Sequence, residues 1–351
     1  METKNSVKHP PSNSPKPLLL NQYPKKNFWD FSDIFQSQGF WYTNPHLEAA
    51  RDILAHFESR DDDIFLASSI KTGTTWLKAL CFSIIHGRKN VNVKVDEEEE
   101  EEDDPLVKNT PSSCVQTIEN GVYMTNPTPD LSVYLEARDL STRFYHQEAY
   151  LEARDLSTRF YHQEGMPSPR LFHTHFPYSA LPDSIKNSEC KIVYITRNPK
   201  DTMVSMWRFF NSVRTPEQGP YPFDKAFESF CDGLYPFGPF FDHVLEYWEV
   251  SLKKSDKRDP KGLVKRLASF LGRPFVNEEE VEKVLWRCSL DRLKNLEVNK
   301  NGSTAVGLPT NSFYRLGVVG DWRNNFSHEM EERLDQISPM KLEKTGLDLN
   351  K

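Results

Sequence analysis

The stretch Asp63-Ile-Phe-Leu-Ala-Ser-Ser-Ile-Lys-Thr-Gly-Thr-Thr-Trp-Leu-Lys-Ala-Leu80 decides the fold. Ile64 to Ala67 is a short apolar run that opens on a β-branched residue, the pattern of a buried strand. Thr74 to His86 reads as a helix: Trp76/Leu77, Leu80/Cys81 and Ile84/Ile85 recur at helical spacing, and Gly87 stands where a stop is expected. A strand that turns tightly into a helix leaves free backbone N–H groups and the positive end of a helix dipole at one place. Ser69 to Thr75 is therefore a candidate anion site. Lys71 adds a formal charge, Gly73 lets the backbone approach closely, and Thr74 and Thr75 add hydroxyl donors. The alternative reading is an ordinary strand-to-helix turn with a solvated lysine and threonine caps. The spacing is not that of the nucleotide P-loop.

The rest of the chain bounds the class. Its 351 residues, 37% hydrophobic and 12% aromatic, suit one globular α/β domain. A net charge of -7 argues against nucleic-acid binding by bulk charge, so any anion site must be local. The five cysteines are scattered, odd in number and without a Cys-x-x-Cys pair, which reads as reduced thiols of an intracellular protein. Residues 1–27 are rich in Pro, Ser, Asn and Lys and read as a disordered arm before a single domain over 28–351. No signal-peptide core, membrane span or myristoylation start is visible, so the expected location is the cytosol, away from membranes.

Along the chain, Phe28 to Ala50 carries Trp29, Phe31, Phe35, Phe40, Trp41 and Tyr42. These rings suit both a packed layer and the wall of an apolar pocket. Residues 88–168 read as a loop and insertion region. It holds the acidic run 96–104, which reads as a solvated loop, and an identical repeat, Tyr134–Glu148 and Tyr150–Glu164, with a period of 16 (150 − 134). Leu171 begins a short strand that Pro177 ends. On it His173 and His175 share a face, but no third ligand is visible and no metal is expected. Lys191 to Ile195 reads as a second parallel-type strand, and Pro199 opens a helix striped with Met203, Met206/Trp207 and Phe210. Arg197 then stands at the carboxyl end of a strand, where open α/β sheets bind ligands. A surface pair with Asp201 is its bland alternative. The charged residues 253–261 cannot form a buried parallel strand. Helices are predicted over Leu263–Leu271, from Asn277 through Trp286, and after a Ser327 cap.

Four motifs together resemble the cytosolic sulfotransferases, with wording similar to the plant enzymes. Lys71-Thr-Gly-Thr-Thr-Trp76 resembles the family's phosphosulfate-binding loop, with Ile70 at the usual Pro. Thr174-His-Phe-Pro177 resembles its Thr-His-Leu-Pro, Arg197-Asn-Pro-Lys-Asp201 with Ser205 its 3′-phosphate motif, and Arg315-Leu-Gly-Val-Val-Gly-Asp-Trp322 its Arg-Lys-Gly-x-x-Gly-Asp-Trp. Gln38 to Tyr42 resembles a common family start. The resemblance covers Gln38 to the C-terminus. It implies a single α/β domain with a mostly parallel sheet, a 3′-phosphoadenylyl sulfate cofactor and a small hydroxylated acceptor, such as a flavonoid, steroid or hydroxyjasmonate. By the same resemblance His175 is the catalytic base. Lys71 stabilises charge on the leaving phosphate, and Ser205 restrains Lys71. Cofactor contacts are implied for Lys71, Thr72, Gly73, Thr74, Thr75, Trp76, Arg197, Ser205, Cys288, Leu290, Leu293, Arg315, Leu316 and Gly317. Four departures stand out: Ile70, Leu290 for Phe, Leu316 for Lys, and the lack of an apolar strand ending in Tyr-Glu near 253–261. Ile70, Leu316 and the missing strand keep open a second reading, an inactive relative that binds nucleotide or acceptor without turnover. A P-loop kinase, the third reading, needs a strand-end carboxylate for Mg²⁺ that the sequence does not clearly show.

Overall fold

The computed structural model describes residues 18–87, 104–120, 168–253, 262–304, 308–342 and 345–349. Most of the N-terminal arm, the acidic run apart from Asp104, the tandem repeat, and 254–261 of the charged stretch lie outside the described residues.

Two sheets organise the chain. The first is an antiparallel meander of β1 (Lys25–Phe28), β2 (Ser32–Ser37) and β3 (Phe40–Thr43). It leads into α1 (Asn44–His56). The second sheet has the order β5-β6-β4-β7, with β4 (Ile64–Ser68), β5 (Gln116–Thr117), β6 (Leu171–Thr174) and β7 (Lys191–Ile195) all parallel. The expected helix after β4 is α2 (Thr74–His86). Among the described residues, the remaining helices of six residues or more are α3 (Pro199–Ser212), α4 (Phe223–Cys231), α5 (Phe240–Lys253), α6 (Leu263–Phe270), α7 (Glu278–Arg287), α8 (Leu290–Asn295) and α9 (His328–Leu342).

The alternation of β4 divides the interior in two. Ile64 and Leu66 face Leu77, Leu80, Cys81 and Ile84 of α2, with Ala268, Leu271 and Val284 behind them. Phe65 and Ala67 face the opposite side, where Phe172, Phe57 and the rings of the first sheet pack with α3, α4 and α5. Such burial on both faces is what a parallel strand requires. Phe28, Trp29, Phe35, Phe40, Trp41 and Tyr42 are all buried, so the aromatic N-terminal stretch is a packed layer.

Ion pairing and capping hold the frame. Arg170 forks onto Asp63 through Nε–Oδ1 (2.7 Å) and Nη2–Oδ2 (2.5 Å), joining the entrances of β6 and β4. Pro199 is the first residue of α3, whose cap Asn198 accepts from the Lys200 N–H. Asn277 accepts from Glu280 N at the start of α7, as the sequence pattern predicts. β7 is the outer strand of the described sheet, and each of its residues is partly exposed. The expected loss of a further strand near 253–261 falls on residues beyond the description, apart from Lys253 at the end of α5.

Candidate active site

The loop after β4 is built as an anion cradle. Lys71 adopts φ +64° and Gly73 φ +113°, so successive N–H groups turn toward one side ahead of α2. A Cβ on Gly73 would come within 3.1 Å of Ile195 Cδ1 at the end of β7, so the two strand ends approach closely here. Thr72 is buried, and its hydroxyl donates to Ser69 O (2.8 Å) and Ile195 O (3.3 Å). It holds the loop's shape instead of facing outward. Ile70, at the position expected for Pro, buries its side chain in the larger core. Thr74 and Thr75 are partly exposed and Trp76 is exposed on the first turn of α2.

Three cations converge on this loop. Burial pushes the Lys71 ammonium down to about 7, and the charges of Arg197 and Arg315 push in the same direction. Such crowding of like charge is what an oxyanion would relieve. Both arginines are braced by acids. Arg197 meets Asp201 at 3.3 Å and Arg315 meets Asp321. The pair with Asp201, the bland alternative for Arg197, is therefore real. It is not a surface pair on the acid's side: Asp201 is buried and accepts from Gly320 N (2.8 Å) and Trp322 N (3.2 Å). One carboxylate thus ties the Arg197 motif to the Arg315 motif.

The expected Ser205 restraint on Lys71 is not formed. The Ser205 hydroxyl makes no hydrogen bond among the described residues. One turn further along the same face of α3, the Phe209 ring receives the Lys71 Nζ at 3.9 Å, with the Phe313 ring at 5.3 Å. The two rings touch each other at a centroid distance of 5.4 Å. A ring face attracts a cation without neutralising it.

Leu290, at the start of α8, meets the Arg315 loop: a Cβ on Gly317, at φ +64°, would lie 2.1 Å from Leu290 Cδ2. Cys288 and Leu293 point the other way, into the core behind α2, where Cys288 Sγ reaches Ser83 Oγ at 3.4 Å. Their side chains are not presented to the loop. Leu316 is exposed, with Val318 and Val319 beside it.

His175 sits just beyond β6. Its Nδ1 lies 2.9 Å from Ser68 O, which can only accept, so Nδ1 carries the proton and Nε2 keeps the lone pair. Among the described residues Nε2 has no hydrogen-bond partner. Burial lowers His175 to about 3, against the Ser68 bond, so the ring is neutral at pH 7. Glu119 accepts from the His175 N–H at 2.6 Å, and His243 Nε2 lies 2.9 Å from the His175 carbonyl. The Phe237 ring stands 5.6 Å from the imidazole and 5.9 Å from the Tyr42 ring, linking the aromatic N-terminal layer to His175.

Sequence reasoning passed over several of these groups. A third potential metal ligand beside His173 and His175 does exist: Glu119, with donor atoms of all three within 4.8 Å of one another. It was invisible because it comes from a distant turn. Both ring nitrogens of His173 already face hydroxyls, and the buried Lys78 ammonium adds positive charge nearby. Of this donor set, His173 is thus committed to hydrogen bonds at both nitrogens. Lys78 did leave a signal, as a lone charge inside the apolar run Leu77 to Leu80.

Comparison with known proteins agrees with this geometry. The sulfotransferase domain model matches residues 61–346. Cytosolic sulfotransferase 5 of Arabidopsis thaliana is 37% identical, covering 94% of this chain and 94% of its own. Cytosolic sulfotransferase 12 of the same plant is 35% identical, covering 94% and 92%. A mouse sulfotransferase solved in complex with PAP aligns with a TM-score of 0.60 at 26% identity, covering 89% of this chain and 96% of that one. No helix among the described residues is long and apolar enough to cross a membrane. With the loop and the three cations assembled where two strand ends meet, the chain belongs to the plant cytosolic sulfotransferase family, the enzymes that use 3′-phosphoadenylyl sulfate.

Proposed function

We propose that the chain transfers a sulfuryl group from 3′-phosphoadenylyl sulfate to a hydroxyl of a small, largely apolar organic acceptor, with His175 as general base. The observation that supports this most directly is Ser68. The last residue of β4, it meets Thr74 of the anion loop with its hydroxyl (2.7 Å) and His175 with its carbonyl (2.9 Å). Nucleotide site and base are thus one residue apart.

The residues present fit the cofactor. The loop that turns through positive φ at Lys71 and Gly73, the three cations and the α2 N-terminus suit a nucleotide with two phosphate positions. Arg197, Ser205 and Arg315 would hold the 3′-phosphate. The loop N–H groups, Thr74, Thr75 and Lys71 would hold the 5′-phosphate. When bound, the cofactor supplies an activated sulfuryl group. Lys71 stabilises negative charge where the leaving oxygen develops it. The neutral His175 accepts the acceptor's proton at Nε2 while Nδ1–H stays on Ser68 O, which keeps the ring in one tautomer. Phe237, Tyr42 and Phe176 form an apolar wall beside the base, suited to a flavonoid, steroid or similar ring system. The reading needs no metal and places the enzyme in the cytosol, with its named relatives.

The test is a transfer assay with labelled cofactor over a panel of hydroxylated acceptors. The expected result is turnover with at least one acceptor, lost in His175→Ala. Binding of adenosine 3′,5′-bisphosphate without turnover on any acceptor would favour the inactive nucleotide-binding reading.

A further inference from the structure

We propose that a one-way chain of hydrogen bonds, running from Lys78 through Thr117, His173 and Ser68 to Thr74, sets the Thr74 hydroxyl as a donor toward the cofactor phosphate. Lys78 and His173 are then positioning residues for cofactor binding. The inference rests on the reading of the β4–α2 loop as the cofactor site.

The direction of the chain follows from which groups can donate. Lys78, 3% exposed, has a donor-only ammonium whose Nζ lies 2.7 Å from Thr117 Oγ1. Burial brings Lys78 down to about 8 while the nearby Glu119 charge opposes the fall, so it is protonated at pH 7. Thr117 is buried, and the only acceptor its own proton can reach among the described residues is His173 Nδ1 at 3.3 Å. A buried hydroxyl proton is rarely left unpaired. Thr117 therefore donates to Nδ1, and the His173 proton is on Nε2. His173 is fully buried, and its Nε2–H points at Ser68 Oγ, 3.1 Å away. Ser68 then has one proton left to place. His175 Nδ1, at 3.5 Å, cannot take it, because that nitrogen already carries a proton for Ser68 O. The remaining partner is Thr74 Oγ1 at 2.7 Å. With a lone pair filled from behind, Thr74 directs its own proton outward at the first turn of α2, where it is partly exposed. A chain polarised by a cation at its inner end strengthens each donor along it. The reverse direction would leave the Thr117 proton without an acceptor and Thr74 facing an anion with a lone pair.

The experiment is calorimetric binding of adenosine 3′,5′-bisphosphate to wild type, Thr74→Val, His173→Ala, His173→Gln, Lys78→Met, and each of His173→Ala and Lys78→Met combined with Thr74→Val. A single hydrogen bond sets the expected scale, so His173→Ala and Lys78→Met should each weaken binding roughly five- to tenfold. Neither should add to the loss already caused by Thr74→Val. A glutamine at 173 can accept from Thr117 and donate to Ser68, and should bind within about twofold of wild type. A purely structural role would not produce this masking or this rescue. Additive losses in both double variants, or wild-type affinity in His173→Ala, would overturn the chain. Should His173→Ala fold poorly, Lys78→Met makes the same comparison from the other end. Failure of the wild type to bind the bisphosphate would instead overturn the cofactor reading, a result separate from additivity.

Discussion

Lys71 shows how a single residue is tuned. Its ammonium rests on Phe209 and beside Phe313, while Arg197 and Arg315 repel it. A bound phosphate reverses that balance and favours the charged form. Above about 7 the free protein carries Lys71 partly neutral, so binding must take up a proton. Affinity for adenosine 3′,5′-bisphosphate is therefore expected to fall as pH rises from 7 to 9. Calorimetry in two buffers of different ionisation heat should show proton uptake. Phe209→Leu removes the ring face and should increase that uptake, whereas Phe209→Trp should preserve it. The division of labour at His175 gives a second expectation. His175→Ala should reduce transfer on the order of 10²–10⁴-fold, the usual worth of a general base, with bisphosphate affinity nearly unchanged. Single-turnover assays beside calorimetry would separate the two effects. Lys71 and Arg197 were legible in the sequence because strand ends and a helix start locate charge, and Arg315 only through the resemblance of its motif. Phe209 and Glu119 were not, since a ring or carboxylate from another segment acquires its role only when packing brings it in; of Asp201 the pair with Arg197 could be read, but not its bonds to Gly320 and Trp322.

At the scale of elements, β4 and α2 could be read almost to the residue, because apolar periodicity and a glycine stop mark both ends. What periodicity does not encode is how elements are tied to each other. The fork from Arg170 to Asp63 joins β6 to β4 far from the site, with side chains 3% and 0% exposed. Removing one partner of a buried pair strands the other charge, so Asp63→Ala should cost roughly 3–5 kcal/mol in urea unfolding. A loss below about 1 kcal/mol, the level of exposed pairs, would show that the fork is solvated. The contact of Gly317 with Leu290 ties the Arg315 loop to α8. Gly317→Ala forces a methyl into Leu290 at a positive φ. It should weaken bisphosphate binding by about 1–3 kcal/mol, the range of overpacking. Leu290→Ala in the same chain should restore part of the loss, because only the clash, and not the backbone strain, is relieved.

Over the whole molecule, buried and half-buried histidines gather beside His175. Burial lowers His243 and His46 to about 4 and His175 to about 3, and places His173 well below its usual value. The unfolded chain titrates these rings near 6.5, so between about 6.5 and 4 it binds more protons than the folded one. Stability should therefore fall as pH drops through that window. Burial raises Glu119 to about 7, and that one group works in the opposite direction between 4.5 and about 7, against four histidines. Thermal melts should show a clear loss from pH 7 to pH 5, and His243→Gln should flatten the slope. A melting temperature constant over that range would contradict the burial of these rings. The partly exposed edge strand has a consequence of another kind. Among the described residues β7 is held from one side, and Arg197 stands just past its end, while Lys71 follows the central β4 and Arg315 belongs to the C-terminal loop. A nucleotide gripped by all three becomes a rivet through an otherwise loose margin. Deuterium should then enter the Val193 and Ile195 amides more slowly once the bisphosphate is bound, so the cofactor fastens an edge that, among the described residues, has a strand on one side only.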